Sequence, residues 1–408
     1  MRISNCFHRT GLSMLSILAF QCLVHGAALT TNTGDYHFDK TISRPVLENF
    51  LSRAITVEGI FNGHGDLDDN IRMLKSTGVK YAGRSLCLWG AENDFLGSLE
   101  RARKQTPKAI ASDPDMVLEA CVFETVSPNI EKISIPAWVF EAFGLAPEKR
   151  NFIYTNIIYP EGHRRPMGPH QVPDVSHLET QLWFYYQAAS YIDLGFEGIH
   201  FGQVELMSGS DPEHASWDKL LTLVRAYAAK HARRHMVLCN GHTPSGGLMR
   251  GNRLLLDFHA FPLRIKETPE RPQEAILEAG YLDSIYHHSM GGITPSGWKC
   301  DHLPYLVEID NWGATDTPGK ANTGPYWVWG YDEISWFANQ TKEYRSNWLA
   351  YAWAWVRKTD SNGYLEMPGS RIVCSPKIHW YFANPPSAAV PNGFGDESAI
   401  ATIWKNDK

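Results

Sequence analysis

The sequence predicts a single-domain (β/α)8 TIM barrel of the α/β class, with long loops at its C-terminal face. Short β-branched or aromatic runs recur along the chain, each ends in a polar or Gly-rich loop, and a helical stretch follows; eight such units can be counted. Strand–helix alternation argues for a parallel sheet, and eight units suit a sheet that closes on itself. No internal repeat or linker divides the chain. A doubly wound sheet is the competing architecture, but no GxGxxG follows the first run.

The strand-like runs are 54–61, 80–88, 116–123, 198–204, 235–240, 254–259, 305–310 and 363–367. A helix over 67–77 is announced by Asp66 as N-cap and stopped by Gly78. Ser176 and His177 precede a second helix, 178–194, which stops at Gly195. Leu220, Leu221, Val224 and Tyr227 stand at helical spacing within 211–234. The aromatic stretch 332–357 ends before Asp360-Ser361-Asn362-Gly363, and 396–404 falls where the eighth helix belongs. Two insertions break the rhythm, 128–175 after strand three and 262–304 after strand six. Both leave the C-terminal ends of strands, where barrels build their sites, so both are expected to shape a cleft.

Residues 1–28 read as an export signal, which assigns the barrel to 29–408. Arg2, His8 and Arg9 give a basic start, 12–24 is apolar, and Gly26-Ala27-Ala28 supplies small residues for cleavage. The apolar stretch is short for a membrane span and no second one follows, so a secreted or periplasmic protein without a membrane span is expected. Lys and Arg number 38 against 44 Asp and Glu, a net charge of −6 with no basic block, which argues against nucleic acid as a partner. Of seven cysteines, Cys87, Cys121, Cys239, Cys300 and Cys374 lie beyond the leader. Five is odd, and three of them sit inside strand-like runs, so they read as buried thiols rather than a disulfide framework. No CxxC or HExxH is present, so no metal or cofactor is expected. Several of the fourteen tryptophans cluster late, at Trp327, Trp329, Trp336, Trp348, Trp353 and Trp355. Most would be core, with a minority free to stack on a ligand.

Side chains alternate along a strand, so parity assigns each to a face. In 254–259, Leu254, Leu256 and Phe258 would pack outward, which turns Asp257 and His259 into the barrel mouth. In strand seven, Val307 and Ile309 point outward, and Glu308 and Asp310 share the lumen face. Gln203 and Glu205 share one face at the end of strand four; strand five ends in Asn240 and His242, and strand eight in Glu366. Buried carboxylates are costly unless paired. Polar groups ending five consecutive strands are therefore read together, as a carbohydrate-binding site.

Glycosidic cleavage uses two carboxyl groups across the scissile bond, one protonated to help the leaving oxygen depart, the other ionised to attack the anomeric carbon or activate water. Strands four and seven lie on opposite sides of a barrel rim. Glu205 is accordingly the candidate acid/base and Glu308 the candidate nucleophile, with Asp310 close behind. The competing structural roles are a helix cap for Glu205 and an ion pair to Arg84 or Arg264 for Glu308. Other residues expected around a sugar are His64, Arg84, Trp89, Glu124, Gln203, Asn240, His242, Asp257, His259, Trp312 and Glu366.

This placement resembles the clan-A glycoside hydrolases, the cellulase-like barrels, with an acid/base after strand four and a nucleophile after strand seven. In that group an Asn directly precedes the acid/base Glu; here Val204 stands there, with Gln203 one step earlier. The chain is also similar to secreted barrel proteins of bacterial polysaccharide-degrading loci. The resemblance implies a glycosidase acting on a poly- or oligosaccharide. Two alternatives stay open: a metal-assisted lyase or isomerase on a sugar, with Asp257, His259, His242 and Glu308 as ligands, or a barrel that binds glycans without cutting them, which Val204 in the Asn position favours.

Overall fold

A computed structural model describes residues 34–268, 274–281, 284, 286–311 and 332–407. The leader at 1–28 and Trp312, Trp327 and Trp329 lie outside these described residues. Gly34–Lys408 forms one compact unit.

The unit begins with helix α1 (Arg44–Leu51), capped by the Ser43 hydroxyl, which accepts from the Val46 amide at 3.5 Å, and started by a proline in its first turn. Eight parallel strands then close on themselves: β1 (Ala54–Val57), β2 (Tyr81–Leu86), β3 (Val117–Cys121), β4 (Gly198–Gln203), β5 (Leu238–His242), β6 (His259–Pro262), β7 (Tyr305–Glu308) and β8 (Gly363–Val373). Closure is the parallel pairing of β8 with β1, Met367 opposite Ile55. A further strand, β9 (His379–Phe382), runs antiparallel to the second half of β8. This is the predicted (β/α)8 barrel.

Helices α2 (Leu67–Thr77), α3 (Phe95–Ser112), α4 (Leu178–Asp193), α5 (Ala215–His231), α6 (Lys342–Thr359) and α7 (Glu397–Asn406) follow β1, β2, β3, β4, β7 and β8. Among the described residues no helix follows β5 or β6, and none is long and apolar enough to cross a membrane. The capping chemistry of α2 is as read: Asp66 accepts from the Asp69 amide at 2.8 Å, and Gly78 closes the helix at φ +79°. Helix α5 starts later than expected because the Asp211 carboxylate caps it from outside, accepting from the amides of Ala215 and Ser216 at 2.9 Å. The stretch 332–357 is two helices, Glu333–Ala338 and α6, since Thr341 caps a fresh start by accepting from the Tyr344 amide. All five thiols are free; those of Cys121, Cys239 and Cys300 are buried, as expected, whereas those of Cys87 and Cys374 are only half-buried.

Helix α1 closes one end of the barrel. Val46, Leu47, Phe50 and Leu51 pack with residues at or near the strand starts, among them Ala54, Tyr81, Val117, Leu238, Leu306 and Tyr364, in one apolar cluster. An amphipathic helix here satisfies its own backbone and buries the starts of seven of the eight strands in one cluster. Any cavity must then open at the C-terminal end.

Two expectations need correction. The run 254–259 is not a barrel strand: Arg253–Leu254 pairs in a hairpin with Met249–Arg250, and barrel pairing starts at His259. The second insertion, 262–304, lends none of its described residues to the cavity wall, although its Arg264 pairs with Asp310. Its Trp298 indole donates to the Ile42 carbonyl at 3.0 Å, and Ser296 accepts from the Ile42 amide, so the loop runs to the end that α1 covers. The first insertion does reach the cleft, through Met167 beside a short hairpin.

Phe50 is fully buried, with its ring edge-on to Tyr36 and Phe38. Phe50→Ala should cost about 3–5 kcal/mol in urea unfolding. A loss under about 1 kcal/mol would show that α1 does not hold the barrel end.

Candidate active site

At the C-terminal ends of the strands lies a cavity of about 700 Å³, within the size range of small-molecule sites. Glu58 and His64 border it after β1, Arg84 and Trp89 on and after β2, Phe123 and Glu124 after β3. His200 and Gln203 of β4, His242 of β5, Asp310 beyond β7 and Trp380 of β9 line it as well. Trp89, 45 % exposed, stands edge-on to Phe123 at 5.4 Å; Trp380 stacks on His64 at 3.9 Å between ring centres.

Beneath the cavity the lumen holds a network of buried charge. Glu308 is 1 % exposed and ion-paired to Arg84; its Oε2 accepts from Arg371 at 2.8 Å and its Oε1 lies 2.9 Å from His242 Nε2. Burial alone would push the Glu308 carboxyl up, but the two guanidiniums and His242 hold it well below the ordinary range. Arg84 reaches this position through an irregularity. The register of β2 against β3 shifts between Ala82 and Leu86, and Arg84 takes a left-handed φ of +54°. Its amide donates to Glu119 Oε2 at 2.9 Å while its guanidinium holds Glu308. A bulge that re-aims one side chain is a common device beside active sites. Glu119 also accepts from Tyr81 Oη and Asn240 Nδ2. Glu366 lies close by with one carboxyl oxygen unpartnered; burial, then the charges of Glu308 and Glu119, push its carboxyl well above the usual range.

Two carboxyls on the cavity wall are driven in opposite directions. Glu124 is buried, and burial raises it; the Gln203 amide, donating to Oε2 at 3.0 Å, only partly offsets that. Gly202 makes room for it, since a Cβ there would overlap Glu124 Oε2, and its φ of +55° suits glycine. Asp310 is also buried, which would raise it, but Arg264 at 3.6 Å and Arg371 at 3.1 Å hold it ionised below its ordinary value.

Of the residues picked from sequence, His64, Arg84, Trp89, Glu124, Gln203, His242 and Asp310 border the cavity. Glu308, Asn240 and Glu366 lie in the charged layer below it. Glu205 does not reach the cavity: its carboxylate accepts from the amide and hydroxyl of Ser245 at 2.8 and 2.6 Å. The strand conformation breaks at Gly202 and a helical turn, Val204–Met207, begins, so parity no longer applies at 205. The proposed Glu205–Glu308 pair across a cleft is thus not what the fold assembles. Asp257 is also elsewhere, accepting from the Cys239 amide and from Arg225, and His259 bonds Ser289 in a site whose burial lowers it to about 3. The four-ligand metal set is thereby scattered. Among the described residues no group of three or more His, Cys, Asp or Glu could hold a metal ion.

Sequence reading missed several wall residues. Glu58 continues the alternation of Thr56 in strand one and was legible. His200 shares its parity with Gly198 and Gly202, whose missing side chains hide the lumen face. Trp380 sits on β9, which nothing in the barrel pattern announces. Trp336, Trp348 and Trp353 are core.

No family model matches the chain, and no curated protein does. Among solved structures it is similar to the acarbose-soaked debranching enzyme of Nostoc punctiforme, at 9% identity over 88% of this chain and 81% of that one, TM-score 0.46. The native form of that enzyme matches over 48% of this chain and 42% of its own, at 12% identity and TM-score 0.31. A Salmonella typhimurium protein assigned as an alpha amylase matches at 10% identity over 80% and 56%, TM-score 0.40. This chain thus spans less than two thirds of the length of the latter two.

Because the Glu366 carboxyl is raised, its stabilising contribution is full below the unfolded value of about 4.3 and is lost as pH climbs through the folded one. Glu366→Gln should therefore melt higher than wild type at pH 8, with the advantage shrinking toward pH 4. A difference that does not change with pH in paired melting curves would contradict the assignment.

Proposed function

We propose that the chain hydrolyses O-glycosidic bonds of a poly- or oligosaccharide, with Glu124 as proton donor and Asp310 as the ionised partner. One observation carries the reading: a carboxyl raised by burial and a carboxylate lowered by two arginines border one aromatic-walled cavity. Glycoside cleavage needs that division. Glu124 gives its proton to the departing oxygen. Asp310 attacks the anomeric carbon or takes a proton from the attacking water. Trp89 and Trp380 offer flat apolar faces to the C–H faces of sugar rings. The leader-like residues 1–28 support work outside the cytoplasm. A glycan-binding barrel, the rival reading, requires affinity without turnover.

A panel of aryl glycosides separates the two. Wild type should turn over at least one. On substrates with poor leaving groups Glu124→Gln should lower kcat roughly 10²- to 10⁴-fold. Dinitrophenyl glycosides, whose leaving oxygen departs without a proton, should be largely spared. Asp310→Asn should lose activity on both kinds. Wild-type turnover by either variant on poor leaving groups would sink its assigned role.

The pH dependence follows from the two directions. Glu124 must be protonated, so activity falls as pH rises through its raised value; Asp310 must be ionised, so activity falls on the acid side only below its lowered value. The kcat/KM profile should be a broad bell whose alkaline limb lies above the ordinary glutamate value of about 4.3. That limb should vanish for Glu124→Gln on dinitrophenyl glycosides. If it persists, another group is the acid.

A further inference from the structure

One polar atom on the cavity wall has no partner. His200 of β4 is 2 % exposed and borders the cavity, and its Nε2 is buried without a hydrogen bond. Its other ring nitrogen, Nδ1, lies 2.7 Å from Asn240 Oδ1. The orientation of that amide is set from below: Asn240 Nδ2 donates to Glu119 Oε1 and faces Tyr81 Oη at 3.4 Å, and Glu119 also receives the Arg84 amide and the Tyr81 hydroxyl. With its NH2 turned to Glu119, Asn240 presents an oxygen to His200. An oxygen can only accept, so Nδ1 carries the hydrogen and Nε2, on the opposite side of the ring, keeps a bare lone pair. The ring itself is pinned edge-on by His242 at 5.2 Å and Phe123 at 6.2 Å.

We propose that His200 Nε2 accepts a hydrogen bond from a hydroxyl of the bound sugar, and so selects a neutral, hydroxyl-bearing ring over a uronate at that position. The proposal rests on the glycoside reading and names the substrate class of the same cavity. A buried acceptor without a partner costs free energy until a donor arrives. A hydroxyl supplies one, whereas a carboxylate or sulfate ester would set its oxygens against the lone pair. Protonation does not offer a way out: burial, followed by the charges of Arg84 and His242, holds the imidazole neutral, well below the usual histidine range. Asn240 and Glu119 act through His200 and are positioning residues.

The test uses the full chain with ring-15N-labelled histidine, and His200→Phe to assign the signal. The His200 signal should show Nδ1–H and bare Nε2. It should move when methyl glycosides of neutral hexoses and pentoses are titrated in, and stay still for monodeoxy analogues lacking the recognised hydroxyl. His200→Phe should bind the preferred methyl glycoside roughly 10- to 100-fold more weakly, while binding the matching deoxy analogue as wild type does. His200→Gln, which keeps an acceptor, should recover part of the loss and controls for folding. An Nε2–H tautomer, or a still Nε2 signal while Trp89 fluorescence reports saturation, overturns the assignment. Unchanged tryptophan fluorescence with every glycoside is a different failure: it removes the glycoside reading, and the assignment with it.

Discussion

A carboxylate taken out of water must be surrounded by donors, and Glu308 in the middle of the barrel is that carboxylate. Arg84 from β2, Arg371 from β8 and His242 from β5 meet on its two oxygens. Removing a partner from such a cluster leaves an uncompensated buried charge, which typically costs more than the cluster contributes by forming. The surrounding backbone yields to that requirement. β2 departs from regular pairing and Arg84 enters the left-handed region, with Glu119 below accepting the amide that the departure turns inward. The same cluster sets the charge of its neighbours. Arg371 passes from Glu308 to Asp310 and helps keep it ionised, while burial, aided by the negative charge of Glu308, keeps the proton on Glu366.

The layer above inherits this order. Arg84 and His242 face upward into the cavity as well as down onto Glu308. Positive charge at the floor and the carboxyl groups of Glu58, Asp94, Glu124 and Asp310 on the walls make a polar pocket, which Trp89 and Trp380 also line. Helix α1 seals the opposite end with apolar side chains, so the charged lumen meets solvent on one side only. The loops divide the labour too. The insertion after β3 lends Met167 to the cavity, and the one after β6 braces the segment ahead of α1.

Much of this was legible in the chain. The periodicity, Asp66 and Gly78 around α2, and the strand runs that became β1 to β4, β7 and β8 identified the barrel because each is a local signal, read over a few residues. Parity placed Glu308, Asp310, Asn240 and His242 correctly, since β5 and β7 stay extended to their ends. It failed for Glu205 and Asp257. Gly202 turns out of the extended region three residues before Glu205, and the run holding Asp257 spends its first residues in a hairpin rather than in the barrel. Neither break leaves a mark in the hydrophobic pattern. Glu124 was picked as a sugar contact, but its proton-holding environment comes from residues distant in the chain.

The sequence by itself determined the barrel, its order of elements and the supply of carboxylates and aromatics at the strand ends, because backbone geometry and side-chain alternation act between near neighbours. Which carboxylate is neutralised by arginine, which is raised by burial and which turns away to a serine was decided only in three dimensions. Ionisation depends on the few ångströms around each group, and in a closed barrel those ångströms are filled by strands that are hundreds of residues apart.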